Sequence, residues 1–191
     1  LAPILSALPP HIEPIILLPS AELFLLPLHA VLLSDSSPDL MCDRYQVSYA
    51  PSIEALSDTR TRAVQRIEPD LYAVINPQAD PRLTYTSVEG QAIAALFGHP
   101  YVDEGRVGTR QRVIAEAPTR TYVHFSCHGS YDWNDPRQSG LELADGRLTL
   151  AELQQNVIDL SSARLVTLSA CETGISDIIM GSPEEYVGMP A

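Results

Sequence analysis

Two short apolar runs, each leading into a residue able to do chemistry, constrain this chain most. Thr121-Tyr-Val-His-Phe-Ser-Cys127 leads into His128-Gly129, and Ala163-Arg-Leu-Val-Thr-Leu-Ser-Ala170 leads into Cys171-Glu-Thr-Gly174. Runs of this length and character read as buried strands. In a parallel sheet the loops beyond the carboxyl ends of the strands gather along one edge, which is where such folds place their sites. A histidine after one strand and a cysteine after another therefore set a base and a nucleophile at a common edge.

The remaining segments fit such a sheet. Leu71-Tyr-Ala-Val-Ile75, closed by Asn76-Pro77, is too short and apolar for a helix and reads as a buried parallel strand. Ser87 is placed to cap a helix over Val88 to Phe97, with Val88, Ala92, Ala95 and Leu96 on one face. Gly98 ends that helix. Thr109 caps a second, running through Glu116 and stopped by Pro118. Thr149-x-x-Glu152 is a capping box that opens a third, from Leu150 to about Asn156. The segment 130–140, rich in Gly, Asp, Asn and Pro, reads as a long loop.

Upstream, Ile15-Ile-Leu-Leu18 and Leu23-Phe-Leu-Leu26 read as a hairpin, or as a strand and its exit. Pro27 opens a short helix, Leu28 to Leu33, and residues 34–39 form a surface loop. Tyr45 to Tyr49 alternates as a strand, and a helix starts near Ile53 after Pro51-Ser52. Strands alternating with helices predict an α/β fold, its mostly parallel sheet covered by helices on both faces.

At 191 residues the chain reads as a single domain, 1–191. The net charge of −12 excludes a basic stripe for nucleic acid. Three cysteines, Cys42, Cys127 and Cys171, with no framework spacing, point to a reducing compartment and hence a cytoplasmic setting. The apolar stretch from Ile12 to Leu33 is broken by Pro14, Pro19 and Pro27 and polarised by Glu13, Glu22 and His29, so no membrane span is expected. Nor does it have the basic start of a signal peptide. No Met begins the chain, and Glu185 to Ala191 reads as a segment that continues; both ends are expected to be internal to a longer protein.

A thiol of ordinary pKa is only a few per cent thiolate at neutral pH, so a nucleophilic cysteine needs an imidazole beside it. Its tetrahedral intermediate needs backbone N–H donors. The N–H groups of Gly129 and Cys171 are the candidates for that oxyanion hole. Asp132 and Trp133, in the loop after the histidine, and Glu172, after the cysteine, are candidates for the rim of the cleft. Each also has an ordinary reading: Asp132 in a solvated turn, Trp133 in packing, and Glu172 in loop hydrogen bonds. His29 and His99 lie in Pro-flanked turns and read as structural. A lone histidine or cysteine after a strand is ordinarily a packing residue, and it is the pair that points to catalysis. His124, Cys127, His128 and Cys171 are also of zinc-ligand type. Alternation along a strand, however, puts His124 and His128 on one face and Cys127 on the other. No metal or organic cofactor is expected.

His124-Phe-Ser-Cys-His-Gly129, Ser139-Gly-Leu-Glu-Leu143, Leu148-Thr-Leu150 and, above all, Leu165-Val-Thr-Leu-Ser-Ala-Cys-Glu-Thr-Gly174 resemble the CHAT domain, a family related to caspases and separase. Leu26-Pro-Leu-His29, Tyr45 to Ser52, Val88 to Ile93 and Glu184 to Gly188 are looser matches. The resemblance implies a caspase-like three-layer α/β sandwich, here truncated at its C-terminal side. It implies a His–Cys dyad, carried over to His128 and Cys171, that hydrolyses peptide bonds in a protein or peptide substrate. It also implies a helical-repeat domain N-terminal to the chain in the full-length protein. A catalytically silent scaffold of the same fold, binding partner proteins in signalling or defence, is the alternative.

Overall fold

The computed structural model describes residues 14–20, 23, 26–34, 37–63 and 68–171. These divide into two units, residues 14–63 and residues 68–171.

In the first unit, β1 (Pro14–Leu17), β2 (Leu32–Ser34), β3 (Ser37–Leu40), α1 (Met41–Arg44), β4 (Gln46–Tyr49) and α2 (Ile53–Ala63) follow in order. β1 pairs in parallel with β4, from Pro14↔Gln46 to Leu17↔Tyr49, so Ile15 to Leu18 is a strand and its exit. The helix expected over Leu28 to Leu33 is a single 3-10 turn, Leu28–Ala30. The reason lies in pairing: Leu32 is drawn into antiparallel register with Leu40, which extends the chain and turns the expected loop into a β2–β3 hairpin. Ser52 caps α2, its hydroxyl accepting from Ala55 N at 3.0 Å. His29 is structural here, its Nδ1 2.9 Å from the Tyr49 hydroxyl.

The second unit runs β5 (Leu71–Ile75), α3 (Thr86–Ala94), β6 (Tyr101–Glu104), α4 (Arg110–Glu116), β7 (Tyr122–Ser126), β8 (Gly129–Ser130), β9 (Gly140–Leu143), β10 (Gly146–Thr149), α5 (Leu150–Gln154) and β11 (Leu165–Ser169). Its centre is a four-stranded parallel sheet in the order β11-β7-β5-β6. Every residue of β5 is buried, which is why that run carries no charged side chain. Tyr72 and Val74 pack on one face with Val113 and Ala117 from α4 and its exit. Leu71, Ala73 and Ile75 pack on the other with Ile93, Ala94 and Phe97. Helices thus cover both faces, as alternation predicts.

Three details differ from expectation. Helix α3 starts at Thr86, so Ser87 lies inside it rather than capping it. Its inward face is Gly90, Ile93 and Ala94, while Val88 and Leu96 are exposed. Apolar side chains lie on both faces of that segment, Ile93, Ala94 and Phe97 inward and Val88 and Leu96 outward, so periodicity alone does not choose between them. Strand β6 was not foreseen because Asp103 and Glu104 interrupt its pattern. Asp103 is nonetheless buried, accepting from Tyr72 Oη and Arg112 Nε at 2.8 Å each. Finally, the loop after the histidine is shorter than 130–140, because Gly129–Ser130 and Gly140–Leu143 pair in the antiparallel sheet β10-β9-β8.

The topology singles out one point on the sheet. From β5 the chain crosses to β6 on one side through α3, then passes back over β5 to β7 through α4. The connections diverge between β5 and β7, and open α/β sheets bind ligands at the carboxyl edge of such a point.

Candidate active site

The loop after β5 is built to hold one carboxylate. Asn76 and Ala79 take positive φ, 44° and 54°. The Asn76 side chain accepts from Asp80 N at 2.8 Å and donates to Asp80 O at 2.9 Å, locking the turn. Asp80 then faces the loop after β7, where His128 Nε2 donates to Asp80 Oδ2 across 2.9 Å. Arg82 grips the same carboxylate through Nε at 3.0 Å and through its backbone N–H at 2.9 Å. These Arg82 bonds first, and the His128 bond after them, hold the Asp80 carboxyl well below the usual carboxylate range. Asp80 is therefore ionised and accepts only. His128 must carry its proton on Nε2, which leaves Nδ1 as the proton-accepting nitrogen of the neutral ring.

Cys171 follows β11, the neighbour of β7. The register of that pair ends at Ser169↔Ser126, with Cys127 N donating to Ser169 O at 3.3 Å. His128 and Cys171 each lie two residues beyond that last registered pair. Among the described residues no hydrogen bond joins the two side chains; His128 is bonded to Asp80, and Cys171 is exposed. A cleft of about 550 Å³ opens beside Cys171, walled by Arg82, Thr84, Tyr85, Glu89 and Ser169.

Gly129 begins β8 opposite Leu141. Glu142 N donates to His128 O at 2.8 Å, which makes Gly129–Leu141 a non-hydrogen-bonded pair. The Gly129 N–H is therefore directed away from β9. Asp132 organises its own loop: its Oδ1 accepts from Asn134 N at 2.9 Å and Asp135 N at 3.1 Å. Trp133 is 65% exposed and rests edge-on against Tyr131, with ring centroids 4.8 Å apart. Glu172 lies outside the described residues.

Below the edge, the polar residues of the two strands form rungs on one sheet face. His124 Nδ1 lies 2.7 Å from Thr167 Oγ1, its registered partner. One rung up, Ser126 Oγ and Ser169 Oγ both donate to Glu89 Oε2 on α3, at 2.7 and 3.1 Å. Phe125, Cys127 and Leu168 point to the opposite, apolar face. Burial pushes the Cys127 thiol up to about 12, and the nearby Glu142 charge pushes it the same way. Burial also lowers the His124 imidazole below the ordinary range, against the pull of Glu89. The zinc reading gains nothing from this arrangement: among the described residues no three His, Cys, Asp or Glu side chains converge. Among the same residues no helix is long and apolar enough to cross a membrane.

Asp80 and Glu89 were missed from sequence. Asp80 stands in Asn76-Pro-Gln-Ala-Asp-Pro-Arg82, read only as the turn that closes a strand. The available signal was its position, the carboxyl-end loop of the most apolar strand, where a charged residue faces the same edge as His128. Glu89 had a weaker signal, a carboxylate next to a glycine on a helix that flanks the sheet.

A family model, that of the CHAT domain, matches residues 1–191. CHAT is a caspase-like, peptidase-related family. No curated protein matches the chain.

Proposed function

We propose that this chain, which belongs to the CHAT domain family across residues 1–191, is a caspase-like cysteine endopeptidase domain. His128 is its general base and acid, and Cys171 its nucleophile. The observation that carries this reading is the Asp80–His128 bond at the switch point of the sheet, with His128 two residues past β7 and Cys171 two residues past its neighbour β11. A histidine fixed in one tautomer by an ionised carboxylate is an oriented base, and packing alone does not require that arrangement.

The chemistry follows from the geometry. His128 Nδ1 takes the Cys171 thiol proton, and the thiolate attacks the carbonyl carbon of a peptide bond. The N–H groups of Gly129 and Cys171 receive the oxyanion. The imidazolium, steadied by Asp80, gives its proton to the leaving amine as the C–N bond breaks. Water then attacks the thioester, losing a proton to His128, and the restored imidazolium returns that proton to the departing Cys171 sulfur. The substrate is a protein or peptide segment in the cleft beside Cys171. The reaction so written calls on no metal or organic cofactor.

One observation favours a second reading, a silent scaffold: His128 and Cys171 are not hydrogen-bonded. Catalytic bonds are commonly long before substrate arrives, so the choice lies with experiment. A randomised peptide library is incubated with the wild-type chain, Cys171→Ala and His128→Ala, and cleavage is read by mass spectrometry. The peptidase reading expects cleavage that falls at least about 100-fold in both variants. Equal cleavage in all three contradicts the mechanism, and no cleavage by a folded wild type supports the scaffold.

A further inference from the structure

We propose that Glu89 is a positioning residue: by bridging Ser126 and Ser169 it holds the ends of the histidine and cysteine strands in the register on which the dyad depends. The proposal rests on the reading of His128 and Cys171 as base and nucleophile.

The case is built on alternation. His124, Ser126 and His128 lie at every second position of one chain segment, and Thr167, Ser169 and Cys171 at every second position of its neighbour. The pairings His124↔Thr167 and Ser126↔Ser169 are both in register. His128 and Cys171 each lie two positions beyond the second of these pairs. That pair is the last registered one before the dyad, and that is where Glu89 acts. Its Oε2 accepts one hydroxyl from each strand, at 2.7 and 3.1 Å. Hydrogen bonds to an ionised acceptor are about twice as strong as neutral ones.

The strand that needs fixing is β11. Among the described strands it pairs only with β7, and its last registered pair is this one. Strand ends held on one side open readily. Glu89 comes from α3, a separate element, so the bridge ties both strands to a third body. The helix reaches them because residue 90 is glycine: a Cβ there would sit 1.8 Å from Ile75 Cδ1. On its other side the carboxylate meets His124, a 97%-buried ring whose Nε2 has no hydrogen-bond partner and lies 3.9 Å from Glu89 Oε1.

The test compares Glu89→Leu and Glu89→Gln in the whole chain. The first readout is the rate at which iodoacetamide alkylates Cys171 between pH 6 and 8, with His128→Ala as the reference. A glutamine carbonyl oxygen can accept both hydroxyls, whereas leucine accepts neither. The bridge therefore expects Glu89→Gln to keep the His128-dependent rate within about 3-fold and Glu89→Leu to lose about 10-fold or more. Equal rates in wild type and Glu89→Leu overturn the proposal. So does Glu89→Gln falling as far as Glu89→Leu, because charge rather than the bridge would then be what matters.

The second readout is hydrogen exchange at the Cys127 amide, which bonds Ser169 O across the two strands. Glu89→Leu should speed it about 10-fold, and Glu89→Gln should leave it within about 3-fold. This readout does not depend on catalysis. If wild-type Cys171 shows no dependence on His128, the dyad reading fails while the exchange data still decide the bridge. Should Glu89→Leu not fold, Ser169→Ala removes one arm at an exposed position and must itself speed Cys127 exchange about 3-fold; no change overturns the bridge.

Discussion

Replacing Gly90 with alanine sets two known effects against each other, and the structure says which prevails. Alanine is a better helix former than glycine by about 0.8–1 kcal/mol, so at an open helical position the change would stabilise. At this position the added Cβ meets Ile75 Cδ1 at 1.8 Å and Cγ1 at 2.7 Å. Ordinary carbon contacts lie at about 3.5–4.0 Å, so the shortfall is about 1.7 Å. Ile75 is fully buried in an inner strand of the sheet and has little freedom to yield. Overpacking of this kind costs about 1–3 kcal/mol, and a shortfall this large belongs at the upper end. The expected net effect is a loss of about 1–2 kcal/mol. Urea unfolding followed by Trp133 fluorescence measures it, since that single tryptophan lies in the same unit as Gly90. A double-mutant cycle assigns the cause. Ile75→Ala alone should cost about 2–5 kcal/mol, and the double variant should be more stable than the sum by about 1–3 kcal/mol. The reasoning is refuted if Gly90→Ala is as stabilising as at an exposed helical glycine, or if the two changes are strictly additive.

Asp80→Asn should leave the fold intact but reduce Cys171-dependent peptide hydrolysis about 10- to 100-fold, because the ring loses the ionised acceptor that fixes its tautomer; steady-state assays on cleaved library peptides measure it. Cys127, buried with its thiol pushed up to about 12, should be alkylated at pH 8.5 far more slowly than Cys42 and Cys171, both exposed. Above about pH 8.5 the unfolded state sheds this proton while the native state keeps it until about 12, so Cys127 should also lower stability as pH rises through that window, and Cys127→Ala should remove that slope in urea titrations. His124 runs the other way. Its native pKa lies below the ordinary value, so from about pH 6.5 downward the unfolded chain binds a proton that the native chain refuses, and stability falls as pH falls. Unfolding midpoints between pH 5 and 7.5 should drop less steeply in His124→Gln.

Three strands of the central sheet were legible; β5 is the extreme case, whereas β11, read as buried, has Leu165, Thr167 and Ser169 exposed. Leu71 to Ile75 is apolar throughout because it is covered on both faces, and two capping side chains, Thr109 and Thr149, announce their helices by direct bonds to Arg112 N and Glu152 N. Strand β6 was not legible, because a buried Asp103 looks like a surface residue until its partners Tyr72 and Arg112, distant in sequence, are known. The same limit governs the site. His128 and Cys171 stood out as candidates because each follows closely on its own strand, β7 ending at Ser126 and β11 at Ser169. Asp80 reaches His128 from 48 positions away, and Glu89 bridges Ser126 and Ser169, 37 and 80 positions away; local pattern carries no trace of such contacts. One part of the ladder was readable in advance, namely that His124 and Cys127 face opposite sides of the sheet.

The most direct test of the central claim is the pH dependence of alkylation of all three cysteines, resolved by mass spectrometry, in wild type and His128→Ala. Cys42 and Cys171 are both exposed, so access alone does not separate them, and Cys42 serves as the internal standard. The account expects Cys171 to react faster than Cys42 below pH 7, as a thiolate sustained by His128, and to fall back to the Cys42 rate in the variant. Cys171 tracking Cys42 at every pH in the folded wild type, with no change in His128→Ala, would contradict it.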